Sequence, residues 1–157
     1  MTTATDFVVR SAVAADSPQL AELRTALWPE SSSAEHQREL QAIFAGTFQT
    51  VLPMTIFVAE HRDGRVLGFL EAGLRSCADG CDPSEPVGYV EGWLVVESRR
   101  GQGIGRALLS AAEDWARAQG CREMASDADI ANTLSQRVHE ASGFTAAGRS
   151  VLYRKPL

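Results

Sequence analysis

Long apolar runs are missing from this 157-residue chain: no stretch approaches the roughly 18 uninterrupted apolar residues of a membrane span. Its start, MTTATDFVVR, lacks the basic beginning and apolar run of a secretory signal, so a cytoplasmic location is expected. Cysteine is scarce. Cys77, Cys81 and Cys121 are an odd number in a chain long enough to fold without staples, which argues against a secreted disulfide framework and for free thiols. Cys77-Ala-Asp-Gly-Cys81 has no second ligand pair, and His36 and His61 lie in other segments, so no metal is expected. A basic excess is absent too. Fifteen basic against twenty acidic residues give a net charge of -5, the wrong sign for nucleic-acid phosphates or an anionic membrane and the right one for a cationic ligand. With 45% hydrophobic and 22% charged residues, and 13 Gly and 6 Pro scattered along it, the chain is neither disordered nor collagen-like. One soluble domain spanning residues 1–157 is expected.

Local signals divide the chain into alternating elements. Phe7–Val9 reads as a short strand. Asp16-Ser-Pro-Gln19 reads as a helix start, with Asp16 capping, Pro18 in the first turn and Gln19 reaching back. Leu20, Leu23, Ala26 and Leu27 form that helix's apolar face, and Trp28-Pro29 ends it. Ser32 with Glu35 is a second capping signature, followed at helical spacing by Leu40, Ile43, Phe44 and Phe48. Ile56–Ala59 and Val66–Leu74, joined by His61-Arg-Asp-Gly64, read as a β-hairpin. A polar loop at Cys77–Pro86 precedes Val87–Val96, a nearly all-apolar strand whose pattern predicts burial on both faces and whose one acid is Glu91. A helix runs from the glycine-rich turn Gly101–Gly105 to Gln119, stopped by Gly120. Glu123–Asp127 is expected as a strand, Thr133–Ser142 as a helix closed by Gly143, and Ser150–Arg154 as a last strand. The order β-α-α-β-β-β-α-β-α-β predicts a mixed sheet with about four helices on its faces, an α/β (α+β) fold.

Arg100-Gly101-Gln102-Gly103-Ile104-Gly105-Arg106 carries the chemistry. Glycines let backbone N–H groups approach an anion, the helix N-terminus adds partial positive charge, and Arg99, Arg100 and Arg106 add full charges, so a pyrophosphate is the natural guest. The segment lacks the Gly-Lys-Ser/Thr of a Walker loop and the G-x-G-x-x-G spacing of a dinucleotide site. It does match R/Q-x-x-G-x-G/A, and with the strand before it and the helix after it resembles the acyl-CoA loop of the GNAT superfamily of N-acetyltransferases. Leu23-Arg-Thr-Ala-Leu-Trp-Pro29, Leu70-Glu-Ala-Gly-Leu-Arg75, Pro86-Val-Gly-Tyr-Val-Glu-Gly92, Ala125-Ser-Asp-Ala128 and His139-Glu-Ala-Ser-Gly-Phe144 are similar to blocks of the aminoglycoside 6′-N-acetyltransferases, almost end to end. The resemblance implies a GNAT fold and a homodimer. It also implies transfer of the acetyl group of acetyl-CoA, as co-substrate, to the 6′-amine of an aminoglycoside.

Amine acetylation needs an uncharged nucleophile, whereas an alkylammonium is mostly protonated near neutral pH; a carboxylate must hold the cation and accept a proton. Glu91 and Asp127 are the candidates. An acid inside an apolar strand is costly to bury unpaired, so Glu91 reads either as functional or as a salt-bridged strand acid, and Asp127 either as functional or as a strand-end turn residue. The resemblance puts both at substrate-binding positions, with Asp127 favoured as the base. It also implies that the backbone at Trp93, Leu94 and Val95 pairs with the pantetheine arm, and that Arg100, Gly101, Gly103, Gly105 and Arg106 hold the CoA phosphates. Asn132 is either a CoA contact or simply a helix cap. Trp28 is either a core residue or a wall covering a sugar. His139 stands where many members carry a tyrosine that protonates the leaving thiolate, though a histidine is common there in this subfamily; Glu71 reads as a salt-bridge or supporting residue.

Two positions depart from the subfamily. Ala78 stands where a drug-contacting tyrosine is usual, and Gly148 where an acidic drug contact is usual, which bears on drug range more than on acetyl transfer. The alternatives are an N-acetyltransferase of another polyamine or of a protein N-terminus, and a non-catalytic acyl-CoA-binding module.

Overall fold

The computed structural model describes residues 5–157. The chain runs through β1 (Phe7–Ser11), a 3₁₀ turn (Ala14–Asp16), α1 (Ser17–Leu27), α2 (Ser33–Phe44), β2 (Met54–His61), β3 (Val66–Arg75) and β4 (Val87–Val95). A second 3₁₀ turn (Glu97–Arg99) leads to α3 (Ile104–Ala118), β5 (Met124–Ser126) and α4 (Thr133–Ala141). The five strands form one sheet in chain order, antiparallel from β1 to β4, with β5 parallel to β4.

Several local signals act as the sequence implies. Ser32 Oγ accepts from the Glu35 N–H, and Glu35 accepts from the Ser32 N–H, so a reciprocal capping box starts α2. Gly64 takes φ +87° in the β2–β3 turn, a conformation a side chain would strain. Others are redirected by competing partners. Asp16 makes no side-chain cap on α1; its carboxylate accepts from the Val13 N–H at 2.8 Å and from both ends of the Arg10 guanidinium at 2.7 and 2.9 Å. Gln19 does not reach back to the cap but accepts from the Val66 N–H at 2.8 Å, tying α1 to the start of β3. Helix α2 ends at Phe44, leaving Phe48 outside it. The expected strand at Ser150–Arg154 does not form. Val151, Leu152 and Tyr153 are 74, 93 and 92% exposed, and β-forming side chains make no strand without an edge to pair with.

The sheet is covered on both faces. Leu20 and Ala21 of α1 and Leu40 of α2 pack with Ile56, Val58, Val66 and Phe69 on one face. Ile104, Leu108, Leu109 and Ala112 of α3 pack with Ala59, Leu67, Leu70, Ala72 and Val90 on the other. Strand alternation then puts Glu71 on the α1 face, two residues beyond Phe69, at 4% exposure. A lone carboxylate is costly there, and Arg24 of α1 answers it with two bonds, Nε to Oε1 at 2.6 Å and Nη2 to Oε2 at 3.1 Å. Burial still pushes the Glu71 carboxyl above its usual range, against the pull of Arg24.

Strand β4 departs from regular pairing at one point. Ala72 faces Val90 and Glu71 faces Gly92, so Glu91 is an extra residue in the ladder. Val90 packs toward α3, whereas Gly92 meets Trp28 and Leu27 at the end of α1. The bulge therefore lets Glu91 and Gly92 both serve the α1 side, and it corrects the expectation of a strand buried throughout: Val87–Val90 and Gly92 are buried, Glu91 is exposed, and Trp93–Val95 are half-buried. A Cβ built on Gly92 would lie 2.5 Å from Trp28 Cη2. Gly92→Ala is therefore expected to destabilise the protein by about 1–3 kcal/mol, as overpacking does, read as a lower urea midpoint at unchanged slope.

Candidate active site

A cleft of about 800 Å³ opens on the α1 side of the sheet, between α2, the segment before β2, the end of β3 and the middle of β4. Its volume is within the usual range of small-molecule sites. Glu39, Glu71 and Glu91 line it together with Arg24 and Arg75, three carboxylates against two guanidiniums. Arg24 links two of the acids, donating to Glu39 at 2.6 Å as well as to Glu71, and its guanidinium lies 5.4 Å from the centre of the Trp28 ring.

The two candidate acids are joined through two residues that the sequence reading did not single out. Arg75, the last residue of β3, grips Glu91 with Nε–Oε1 at 3.0 Å and Nη2–Oε2 at 2.7 Å. The same guanidinium lies 3.4 Å from the centre of the Tyr89 ring. Tyr89 donates its hydroxyl to Asp127 Oδ1 at 2.9 Å, across the junction of β4 and β5. Glu91, Arg75, Tyr89 and Asp127 thus form one continuous polar chain. The hydrogen bonds and charge of Glu91 raise the Arg75 pKa despite partial burial. Burial, then the bond and charge of Asp127, push the Tyr89 phenol up to about 12. The β2–β3 hairpin was legible from the pattern, but the partner of Glu91 depends on the register of β3 against β4 and on the bulge.

Beyond that junction the sheet comes apart. Strand β5 pairs with β4 only from Gly88 to Val90, and β4 runs on to Val95 held by β3 alone. Trp93, Leu94 and Val95 therefore border an open fork. The Trp93 ring lies against Gly105 and edge-on to His139, with ring centres 5.6 Å apart. The glycine loop follows directly. Gly101 and Gly103 take φ +73° and +84°, and a Cβ on either would meet nothing within 4 Å, so the loop's backbone is open to a large partner. Gly103 caps α3, whose first-turn N–H groups have no partner within the helix. Arg106 is exposed in that first turn, and exposed Arg100 bonds the Val95 carbonyl at 3.1 Å. These features fit a CoA pyrophosphate: open donors, a helix N-terminus and two guanidiniums. Arg99 is not a third, because it is tied to Asp6 at 2.6 Å and to Gln102 at 2.8 Å.

The remaining expected residues take mixed positions. Asn132 is the N-cap of α4, accepting from the Ser135 N–H at 3.0 Å. Trp28 packs into the α1-side core behind Gly92, 6.2 Å from the Phe69 ring, with its carbonyl 3.2 Å from His36 Nε2. Ala78 and Gly148 fall in two segments that meet, since a Cβ on Gly80 would lie 2.6 Å from Ala147 Cβ. Among the described residues, no group of three or more His, Cys, Asp or Glu could hold a metal, and Cys77, Cys81 and Cys121 are free.

An open glycine loop thus stands beside a splayed strand and an acidic cleft. Residues 18–144 fit the acetyltransferase (GNAT) family, and the chain belongs to it. It is 41% identical over 150 residues to an aminoglycoside N(6')-acetyltransferase type 1 of Klebsiella aerogenes, covering 96% of this chain and 97% of that protein. A Serratia marcescens protein of the same name is 43% identical over 136 residues, covering 86% and 89%. A solved structure of AAC(6')-Iy with the bisubstrate analogue CoA-S-monomethyl-acetylneamine superposes with a TM-score of 0.85 at 34% identity, covering 98% of this chain and 100% of that one. The expected GNAT fold is the observed one, and the protein is an acetyltransferase that uses acetyl-CoA.

The Tyr89–Asp127 contact has a direct spectroscopic consequence. Asp127→Asn removes the carboxylate's share of the upward shift and leaves that of burial, so the Tyr89 phenol is expected to titrate below about 12, read by phenolate absorbance.

Proposed function

We propose that residues 1–157 act as one acetyltransferase domain that moves the acetyl group of acetyl-CoA to the 6′-amine of aminoglycosides. The observation that carries this reading is the polar chain Glu91–Arg75–Tyr89–Asp127, set between an acidic cleft and an anion-binding loop. The names of the relatives support the substrate class. In this reading the amine attacks the thioester directly while both substrates are bound; a ligand that joins CoA to an acetylneamine occupies a similar protein.

The roles follow from the chemistry. Glu91, exposed at the mouth of the bulge, anchors the ammonium, and Asp127 takes its proton, directly or through water. Arg100, Gly101, Gly103, Gly105 and Arg106 hold the pyrophosphate of acetyl-CoA. The free edge at Trp93, Leu94 and Val95 pairs with the pantetheine amides, and one N–H there stabilises charge developing on the thioester oxygen. Asn132 adds a CoA contact to its cap, and Trp28 closes the sugar side. Acetylation removes one positive charge from a polycationic drug, which is the basis of the proposed resistance.

We also propose that the protein works in the cytoplasm as a homodimer. Its free cysteines suit a reducing compartment, and no described helix is long and apolar enough to cross a membrane. The apolar side chains left exposed at Val151, Leu152 and Tyr153, and an edge strand β5 only three residues long, support pairing with a second copy. Light scattering is expected to give twice the 16.9 kDa chain mass, and Leu152→Asp to shift it toward the monomer; a monomeric parent protein removes the dimer.

The deciding assay supplies acetyl-CoA with kanamycin, tobramycin or spermidine and maps any acetylated amine by mass. The drugs are expected to react at the 6′-position. Glu91→Gln and Asp127→Asn are each expected to lower kcat/KM by about 10²-fold or more with CoA affinity retained. Reaction with spermidine alone moves the assignment to another polyamine. CoA binding without turnover on any amine, in the parent protein and both variants alike, leaves only the acyl-CoA-binding module.

A further inference from the structure

The guanidinium of Arg75 already makes the contacts that an alkylammonium would make in the cleft. Both oxygens of the Glu91 carboxylate accept from it, Oε1 from Nε at 3.0 Å and Oε2 from Nη2 at 2.7 Å. Its central carbon lies over the Tyr89 ring, 3.4 Å from the ring centre. Tyr89 donates its hydroxyl to Asp127 Oδ1 at 2.9 Å, which fixes the ring from its far end. A carboxylate on one side and an aromatic face on the other is a general recognition set for a substituted ammonium.

Burial separates this ion pair from the other one in the cleft. The side chains of Arg24 and Glu71 keep 5% of their surface each, whereas those of Arg75 and Glu91 keep 44 and 39%. A pair that open to water is weakly held, and either partner can be solvated again without leaving a buried charge behind. Tyr89 is 7% exposed with the guanidinium over its ring, so a departing Arg75 uncovers an aromatic face that stays anchored through its hydroxyl. The bonds to Glu91, then its charge, raise the Arg75 pKa further, so the site is cleared by exchange with another cation and not by loss of a proton. Glu39, Glu71 and Glu91 against Arg24 and Arg75 leave a formal excess of one negative charge with Arg75 in place, which attracts a polycation before anything has moved.

We infer that Arg75 is a resident cation filling the substrate's ammonium site, and that a polycationic amine enters by displacing it, taking the Glu91 carboxylate and the uncovered face of Tyr89. The inference rests on the reading that Glu91 anchors the ammonium. Arg75 is tethered to the site and so competes at a high effective concentration. It imposes the same penalty on every incoming cation, which a polycation overcomes through its other charges and a lone ammonium does not. Arg75 is thus a selectivity residue, present at the site when it is empty and absent when it is filled. Tyr89 becomes a wall of the filled site. Because its hydroxyl holds Asp127, an ammonium on the ring face arrives beside the carboxylate proposed to take its proton.

The test follows the Arg75 Nε–H of the parent protein by NMR while tobramycin, or the monocation 6-amino-6-deoxyglucose, is added, with Kd measured alongside by titration. Tobramycin is expected to move that signal from its Glu91-bonded position and to speed its exchange with water, saturating at the measured Kd. Arg75→Gln is expected to tighten tobramycin binding by about threefold to thirtyfold, the worth of one exposed ion pair plus one exposed cation–π contact. The monocation is expected to gain by the same factor, since the competition is for one site. Adding Tyr89→Leu to Arg75→Gln is expected to weaken tobramycin binding by about twofold to fivefold. If that variant loses its fold, contacts between the Tyr89 ring protons and tobramycin in the parent protein give the same answer. An Arg75 signal that stays in place at saturating tobramycin overturns the displacement, as does unchanged or weaker binding in Arg75→Gln. A gain that grows with the charge of the ligand overturns it too, because it marks attraction through space instead of competition at one site. A parent protein that neither binds tobramycin nor acetylates any amine sinks the aminoglycoside reading and the inference together. One that acetylates tobramycin at the 6′-amine with Arg75 still bonded to Glu91 sinks the inference alone.

Discussion

Strand β4 has to satisfy α1 on one face and α3 on the other, and one extra residue lets it also build a site. Without the bulge, alternation would turn Gly92 toward α3, the side Val90 faces, and leave the Trp28 ring against a different residue. With it, Glu91 swings outward to meet Arg75 while Gly92 gives the indole the space a side chain would fill. The strand then continues to Val95 after β5 has stopped, and the glycine loop follows after one 3₁₀ turn. The open fork, the acid at the cleft and the anion loop all follow from how this one strand is paired.

Charge is distributed along the cleft by burial. Deep inside, Arg24 and Glu71 are almost wholly enclosed at 5% side-chain exposure each, and removing either partner would strand the other. Near the mouth, Arg75 and Glu91 keep 44 and 39% of their side-chain surface. An exposed pair of that kind contributes at most about 1 kcal/mol, so a cationic ligand can replace Arg75 on Glu91 at little cost. The inner pair shapes the cleft, and the outer one is exchangeable. Both fit the net charge of -5, which draws cations toward the chain.

Signals confined to a few neighbouring residues were the legible ones. The Ser32–Glu35 box, the Asp63-Gly64 turn and the strand–glycine–helix unit appear where the pattern put them, since each depends on backbone geometry within one turn. Asp16, Gln19 and Arg99 read as a cap, its partner and a phosphate ligand, yet each is held elsewhere: Asp16 by Arg10 of the neighbouring strand β1, and Gln19 and Arg99 by Val66 and Asp6, far along the chain. A side chain that can choose between a local and a long-range partner cannot be assigned from its neighbours. Tyr89 and Arg75 carry no local signal that sets them apart from other strand residues, and only the register brings them onto Asp127 and Glu91.

The amino-acid sequence by itself determined the strand–glycine loop–helix unit and the order of the elements as far as α4, because those depend on periodicity and a contiguous motif. Tertiary structure alone decided which cation each acid faces, where β4 is bulged, that Ser126 meets His139, and that residues 150–154 stay unpaired. These are pairings between separate elements, Ser126 and His139 lying 13 residues apart and Arg75 and Glu91 16. They are set by strand register and by competition among partners that become neighbours only once the chain has folded.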